Sequence, residues 1–182
     1  MRILAVSGSL RSGSYNTALL RVAAEAAPEG LELELYEELG AVPPFSEDAE
    51  AGEPEAVRRW REAIRRADAL LFATPEYNAS LPGQLKNAVD WASRPVGEAA
   101  LSGKPAAVIG ASTSAYGAMW AQAELRKALA RAGARVLDSE LAIPHAHERA
   151  EGETLRLTAP QQRRLAAALE ELDTTASRLA VA

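Results

Sequence analysis

The stretch SGSLRSGSYNT (residues 7–17) gathers the parts that could hold a phosphate. Gly8 and Gly13 let backbone N–H groups approach an anion closely, while Ser9, Ser12, Ser14 and Thr17 offer hydroxyl donors. Asn16 stands near the expected N-cap of the following helix, whose first turn contributes partial positive charge. Arg11 adds a permanent charge with forked donors. A hydrogen bond to a charged group is worth roughly 1.5–3 kcal/mol net, so about four or five of them would grip a phosphate dianion. Two better-known phosphate loops do not fit. Gly8-x-x-x-x-Gly13 imitates the start of a P-loop, but Ser14 stands where the nucleotide-binding lysine belongs. The G-x-G-x-x-G dinucleotide fingerprint is missing, so the turn suits a terminal monophosphate better than a bridging pyrophosphate. The competing reading is an ordinary Ser/Gly turn that caps a helix.

Two other segments are unusually polar for a chain that is 48% hydrophobic: TPEYNASLPG (74–83) and GASTSAYG (110–117). In the first, Pro75 fixes the chain direction, and Glu76, Tyr77 and Asn78 follow it. Tyr77 and Asn78 offer an aromatic edge and an amide to a planar heterocycle. In the second, Ser112, Thr113, Ser114 and Gly117 precede a helix and can aim backbone N–H groups inward at developing negative charge. Each segment alone also reads as a plain strand-to-helix turn. His145 and His147 form a His-x-His pair near Glu148, but no second cluster accompanies them; they read as solvated, and no metal is expected. The acids Glu47, Asp48, Glu50, Glu53 and Glu55 read as a solvated loop. Trp60 and Trp120 are assigned to packing or an interface, and Trp91 to the core, an interface or the edge of the site.

These segments matter only if the fold brings them together. The apolar run Ile3–Val6 reads as a buried strand that ends in Ser7-Gly8-Ser9. Over 16–27, Ala18, Leu19, Val22, Ala23 and Ala26 repeat at helical spacing until Pro28 and Gly30 stop them. Leu31, Leu33 and Leu35 alternate with Glu32 and Glu34, the period of a half-exposed strand. Residues 39–54 are rich in Pro, Gly and acid and read as a loop. A helix over 55–67 turns Val57, Trp60 and Ile64 inward, and 69–73 is a wholly apolar strand. A helix over 82–93 takes Pro82 at its first position. A strand at 106–110, a helix at 118–132 and a strand at 136–143 follow. After Pro160 comes a last helix with Leu165, Leu169, Leu172, Ala176 and Leu179 on one stripe.

Strict alternation of strand and helix predicts an α/β fold with five parallel strands and crossover helices on both faces. The matching doubly wound order is 2-1-3-4-5, which places ligands outside the carboxyl ends of the strands at the switch point. The three polar segments follow strands one, three and four, and so converge there. One domain over 1–182 is expected, since no repeat or boundary is visible.

A net charge of −5 without any block of Lys or Arg makes nucleic acid a poor partner. The absence of cysteine excludes disulfides, thiolate nucleophiles and Cys-ligated zinc or iron–sulfur sites. MRILAVSGS offers five apolar positions, too few for a signal core or a membrane span, so no membrane partner and a cytoplasmic location are expected.

Taken together, GSLRSGSYN (8–16), PEYNASLPGQLKNAVDW (75–91) and the turn 110–117 resemble the NADPH-dependent FMN reductase family, which includes chromate, quinone and azo-dye reductases. The resemblance implies a flavodoxin-like fold and bound FMN, its phosphate held by Ser9, Arg11, Ser14, Tyr15, Asn16 and Thr17. It implies that Pro75, Glu76, Tyr77 and Asn78 line the flavin ring, with Ser112, Thr113, Ser114 and Gly117 at its pyrimidine edge. NADPH or NADH would be the electron donor, small molecules such as quinones, azo compounds, chromate or free flavin the acceptors, and a homodimer or homotetramer the assembly. No residue is expected to be strictly catalytic, because the cofactor carries the chemistry and the protein orients it. The rival reading is a flavodoxin-like electron carrier without substrate turnover.

Overall fold

Two strands in the middle of the chain, β3 (Ala69–Thr74) and β4 (Pro105–Ala111), are buried at every residue. Strands of that kind need cover on both faces, and the architecture supplies it. The computed structural model describes residues 1–181. Around β3 and β4 stand β1 (Arg2–Ser7), β2 (Glu32–Leu35) and β5 (Arg135–Ile143), giving a five-stranded sheet of order β2-β1-β3-β4-β5. Every pairing in it is parallel. This is the expected 2-1-3-4-5 order.

Helices α1 (Tyr15–Glu25) and α5 (Ala159–Ala180) cover one face, packing Leu19, Leu165, Leu169 and Leu172 against Ile3, Leu71 and Ile109. Helices α2 (Glu55–Arg66), α3 (Gly83–Ala92) and α4 (Met119–Arg131) cover the other, bringing Trp60, Ile64, Leu85 and Leu125 onto Leu4, Phe72 and Val108. Burial of a large apolar side chain is worth about 1.5–3 kcal/mol, so these two clusters are the main reason the sheet is held between its helical layers. Among the described residues, no helix is long and apolar enough to cross a membrane.

Three expectations need correction. Residues 39–54 are not a free solvated loop. Gln84 Nε2 donates to Leu39 O (2.7 Å) and Val42 O (2.8 Å), Trp91 Nε1 donates to Pro43 O (2.8 Å), and Leu39 and Val42 are buried. Its acids have partners: Glu53 pairs with the buried Arg61 at 2.5 Å, and Glu47 and Glu50 reach Arg94. Pro82 is the N-cap of α3 rather than its first helical residue, with ψ of 138°. Between β5 and α5 lies a small antiparallel hairpin, β6 (Ala150–Glu151) and β7 (Thr154–Leu155), too short to leave any periodic signal. Trp60 and Trp91 are fully buried, whereas Trp120 is 45% exposed.

Candidate functional site

The β1–α1 connection leaves the sheet by extending it. Gly8 N–H donates to Ala73 O at 2.8 Å, and a Cβ on Gly8 would come within 2.7 Å of Leu85 Cδ2 and 3.3 Å of Pro75 Cδ. Only glycine allows the first and third connections to lie this close. Helix α1 starts at Ser14, not Asn16: Ser14 is the N-cap, and its Oγ accepts from Thr17 N at 3.2 Å. Ala18 N–H already bonds Ser14 O, so the N–H groups of Tyr15 and Asn16 are left without a partner among the described residues. They are the donors that an anion at a helix N-terminus uses. Arg11 is exposed, with its guanidinium carbon 4.8 Å from the centre of the Tyr15 ring.

Asn16 therefore does something other than cap. Its side chain is buried: Nδ2 donates to Ala111 O at 3.0 Å, and Oδ1 accepts from Ala111 N at 2.9 Å. The amide bolts the start of α1 to the end of β4, leaving only its backbone N–H for a ligand. Thr17 behaves similarly, its Oγ1 donating to Ser7 Oγ at 2.9 Å.

The β3–α3 connection closes on itself. Tyr77 N–H bonds Ser80 O at 2.9 Å and Ser80 N–H bonds Tyr77 O at 3.1 Å, with Asn78 (φ 53°) and Ala79 (φ 60°) both left-handed. Two positive φ values at the central positions define a tight primed turn, which Asn tolerates and Ala does not favour. The turn presents Tyr77 at 52% exposure. Glu76 points elsewhere: its Oε2 accepts from the N–H groups of Trp120 (3.1 Å) and Ala121 (3.2 Å).

The 110–117 turn is less open than its composition suggests. Ser112 N–H bonds Ile143 O, Ser114 N–H bonds Ser112 Oγ at 3.0 Å, and Tyr116 N–H bonds Ser114 Oγ at 3.3 Å. Two of the donors expected to face inward, the N–H groups of Ser112 and Ser114, are thus engaged within the protein. The N–H of Thr113 has no partner among the described residues. Gly117 (φ 58°) brings the chain so close to β5 that a Cβ would lie 2.7 Å from Ile143 N.

A cleft of about 160 Å³ joins the three connections. Ser9, Arg11, Ser14, Tyr15 and Asn16 form one wall, Pro75, Glu76 and Tyr77 another, and Ser112 and Thr113 with Ala111 the third. Thr17 lines the neighbouring hollow on the β2 side, and Asn78, Ser114 and Gly117 stand outside the cleft. Sequence reasoning missed Ala111, a strand residue without chemical signature. It also missed His145 and Ala146, whose N–H groups hold Ser114 O (3.1 Å) and Ser112 O (3.0 Å). Backbone contacts of that kind leave no mark on residue type. Among the described residues, no group of three or more His, Asp or Glu side chains could hold a metal.

A doubly wound parallel sheet with a polar, N–H-rich cleft at the carboxyl ends of β1, β3 and β4 defines a flavodoxin-like α/β protein. The chain belongs to the NADPH-dependent FMN reductase family, whose sequence profile matches residues 1–148. It is 55% identical over 130 residues to an NAD(P)H-dependent FMN reductase of Pseudomonas aeruginosa, covering 71% of this chain and 69% of that protein. It is 49% identical over 128 residues to a quinone reductase of Pseudomonas putida, covering 70% and 68% respectively. Among solved structures, the flavoenzyme NAD(P)H:(acceptor) oxidoreductase FerB of Paracoccus denitrificans superposes with a TM-score of 0.86 at 35% identity, over 97% of each chain.

Proposed function

We propose that this protein binds FMN in the cleft and catalyses electron transfer from NAD(P)H to quinones and related small acceptors. The observation that carries the reading is the cluster of unpartnered N–H groups at Tyr15 and Asn16 beside Ser9, Ser14 and Arg11, at the switch point of the sheet. These donors fit a phosphomonoester: several neutral hydrogen bonds, a helix terminus and one exposed guanidinium. Thr17 supports them by holding Ser7 at the head of the loop.

The ring portion of FMN would rest against Pro75, Tyr77 and Asn78, with Thr113 N–H, flanked by Ser112, Ser114 and Gly117, at its polar edge. Bound FMN supplies the capacity to accept two electrons from a nicotinamide and deliver them to an acceptor. The chain's own contribution is to bind the phosphate, orient the ring and leave one side open. The 52% exposure of Tyr77 supports that openness.

Several large apolar side chains are exposed at the rim. Tyr116 (56% exposed), Met119 (49%) and Trp120 (45%) stand with Tyr77 next to the cleft, and the Tyr116 and Trp120 rings lie 4.7 Å apart. A clustered apolar rim of this kind supports a homodimer or homotetramer whose contact borders the cofactor.

Purified protein mixed with FMN should quench the flavin's fluorescence, turn yellow and bleach under NADPH without oxygen, then recover its colour when a quinone is added. Protein that leaves FMN free in solution would overturn the reading, and protein that binds FMN but does not bleach would favour the carrier. Sedimentation velocity on the same sample should show an assembly larger than 19.3 kDa; a monomer at micromolar concentration would refute the proposed contact.

A further inference from the structure

Past Thr74 and Gly110 the ladder between β3 and β4 ends, and the two connections that follow are joined through side chains. We propose that Glu76 is a positioning residue, holding the turn 77–80 at a set distance from the 112–117 turn by capping α4 from outside its own chain segment. This inference rests on the reading above that FMN occupies the cleft.

Helix α4 provides no cap of its own. Its N-cap is Ala118, left-handed at φ 64°, and its first turn carries no acid. A helix leaves its first N–H groups without internal partners, and here those of Met119, Trp120 and Ala121 are supplied from outside the helix ladder, which opens with Gln122. Met119 N–H bonds Tyr116 O, Gln122 N–H bonds Ala118 O, and those of Trp120 and Ala121 both go to Glu76 Oε2. The carboxylate also lies where the helix dipole favours negative charge.

The tie continues in both directions. Ser80 Oγ donates to Glu124 one turn further along α4, which anchors the other end of the turn 77–80. Gln122, buried in the first turn of α4, donates Nε2 to Gly117 O at 3.0 Å. Glu76, α4 and Gln122 thus form one continuous path between two walls of the cleft. Ala79 gives this path a purpose, because alanine held at φ 60° is strained and keeps that conformation only where its surroundings impose it. Glu76 therefore acts on the ring through the wall it anchors, and its charge faces the helix rather than the ligand.

FMN titration of the full-length FMN-free protein, followed by flavin fluorescence, tests this together with amide hydrogen exchange on the same FMN-free protein. Glu76→Ala should raise the FMN dissociation constant about fivefold, the equivalent of one lost helix cap, and speed exchange at Trp120 and Ala121. Glu76→Gln, which keeps the acceptor oxygen, should stay within about twofold in affinity with an unchanged flavin reduction potential. Glu76→Asp keeps the charge but loses reach, so it should follow Ala and serves if the Ala variant does not fold. Wild-type affinity and exchange in both Ala and Asp variants overturn the proposal. So does a Gln variant as impaired as Ala with a shifted potential, which would place the charge on the flavin itself. Should wild-type protein fail to bind FMN, the functional reading falls, while the exchange rates still decide whether Glu76 caps α4.

Discussion

Asn16→Leu is expected to lower the unfolding free energy by roughly 2–5 kcal/mol, the largest effect of any single change at this site. Leucine nearly matches asparagine in shape but offers no hydrogen bond. The replacement would strand both the N–H and the C=O of Ala111, a residue 1% exposed at the end of a central strand. Each buried backbone group left without a partner costs about 1–3 kcal/mol. Asn16→Asp keeps the acceptor for Ala111 N but loses the donor, so it should fall between the two. Urea denaturation of FMN-free protein measures both. A loss below about 1 kcal/mol in the Leu variant would mean that the clamp is not what holds α1 to β4.

The second large effect concerns binding rather than folding. Arg11→Ala should weaken FMN binding by about 1.5–3 kcal/mol, roughly tenfold to a hundredfold, with little change in stability because the side chain is exposed. Arg11→Lys should recover part of the loss, since the charge remains but the planar fork and its stacking on Tyr15 do not. The wild-type affinity should also fall with added salt more steeply than that of the Ala variant. Flavin fluorescence titration at two salt concentrations reads all three. An Ala variant with the wild-type dissociation constant takes Arg11 out of the phosphate site.

Glu76 and Asn16 share a pattern. Both stand in the segments that point to a ligand, and both direct their side chains to protein backbone: Asn16 joins the first connection to β4, and Glu76 joins the third connection to α4. The groups proposed to face the ligand are the ones beside them, the N–H groups of Tyr15 and Asn16, the Arg11 guanidinium and the Tyr77 ring. A cleft built from loops of separate strands needs such braces, since the loops share no ladder of their own.

The sheet order and the place of the site could be read directly from residue order. Runs such as 69–73 are apolar at both parities, as expected of a strand covered on two faces, and the helical stripes between them are of crossover length. From there the carboxyl ends of β1, β3 and β4, and the polar segments following them, were bound to converge. The acidic stretch 39–54 could not be read this way, because its order comes from Gln84, Asn87 and Trp91 on α3. Composition records what a segment contains, not what packs on it.

Pattern alone settled the layered parallel sheet and the family to which the chain belongs, because both are encoded locally in period, turn residues and short motifs. Folding in three dimensions decided what every polar side chain in those motifs touches. Asn16 and Ala111 lie 95 residues apart, and whether an amide there meets a ligand or a neighbouring strand depends on the distance between two packed elements, which no local spacing carries.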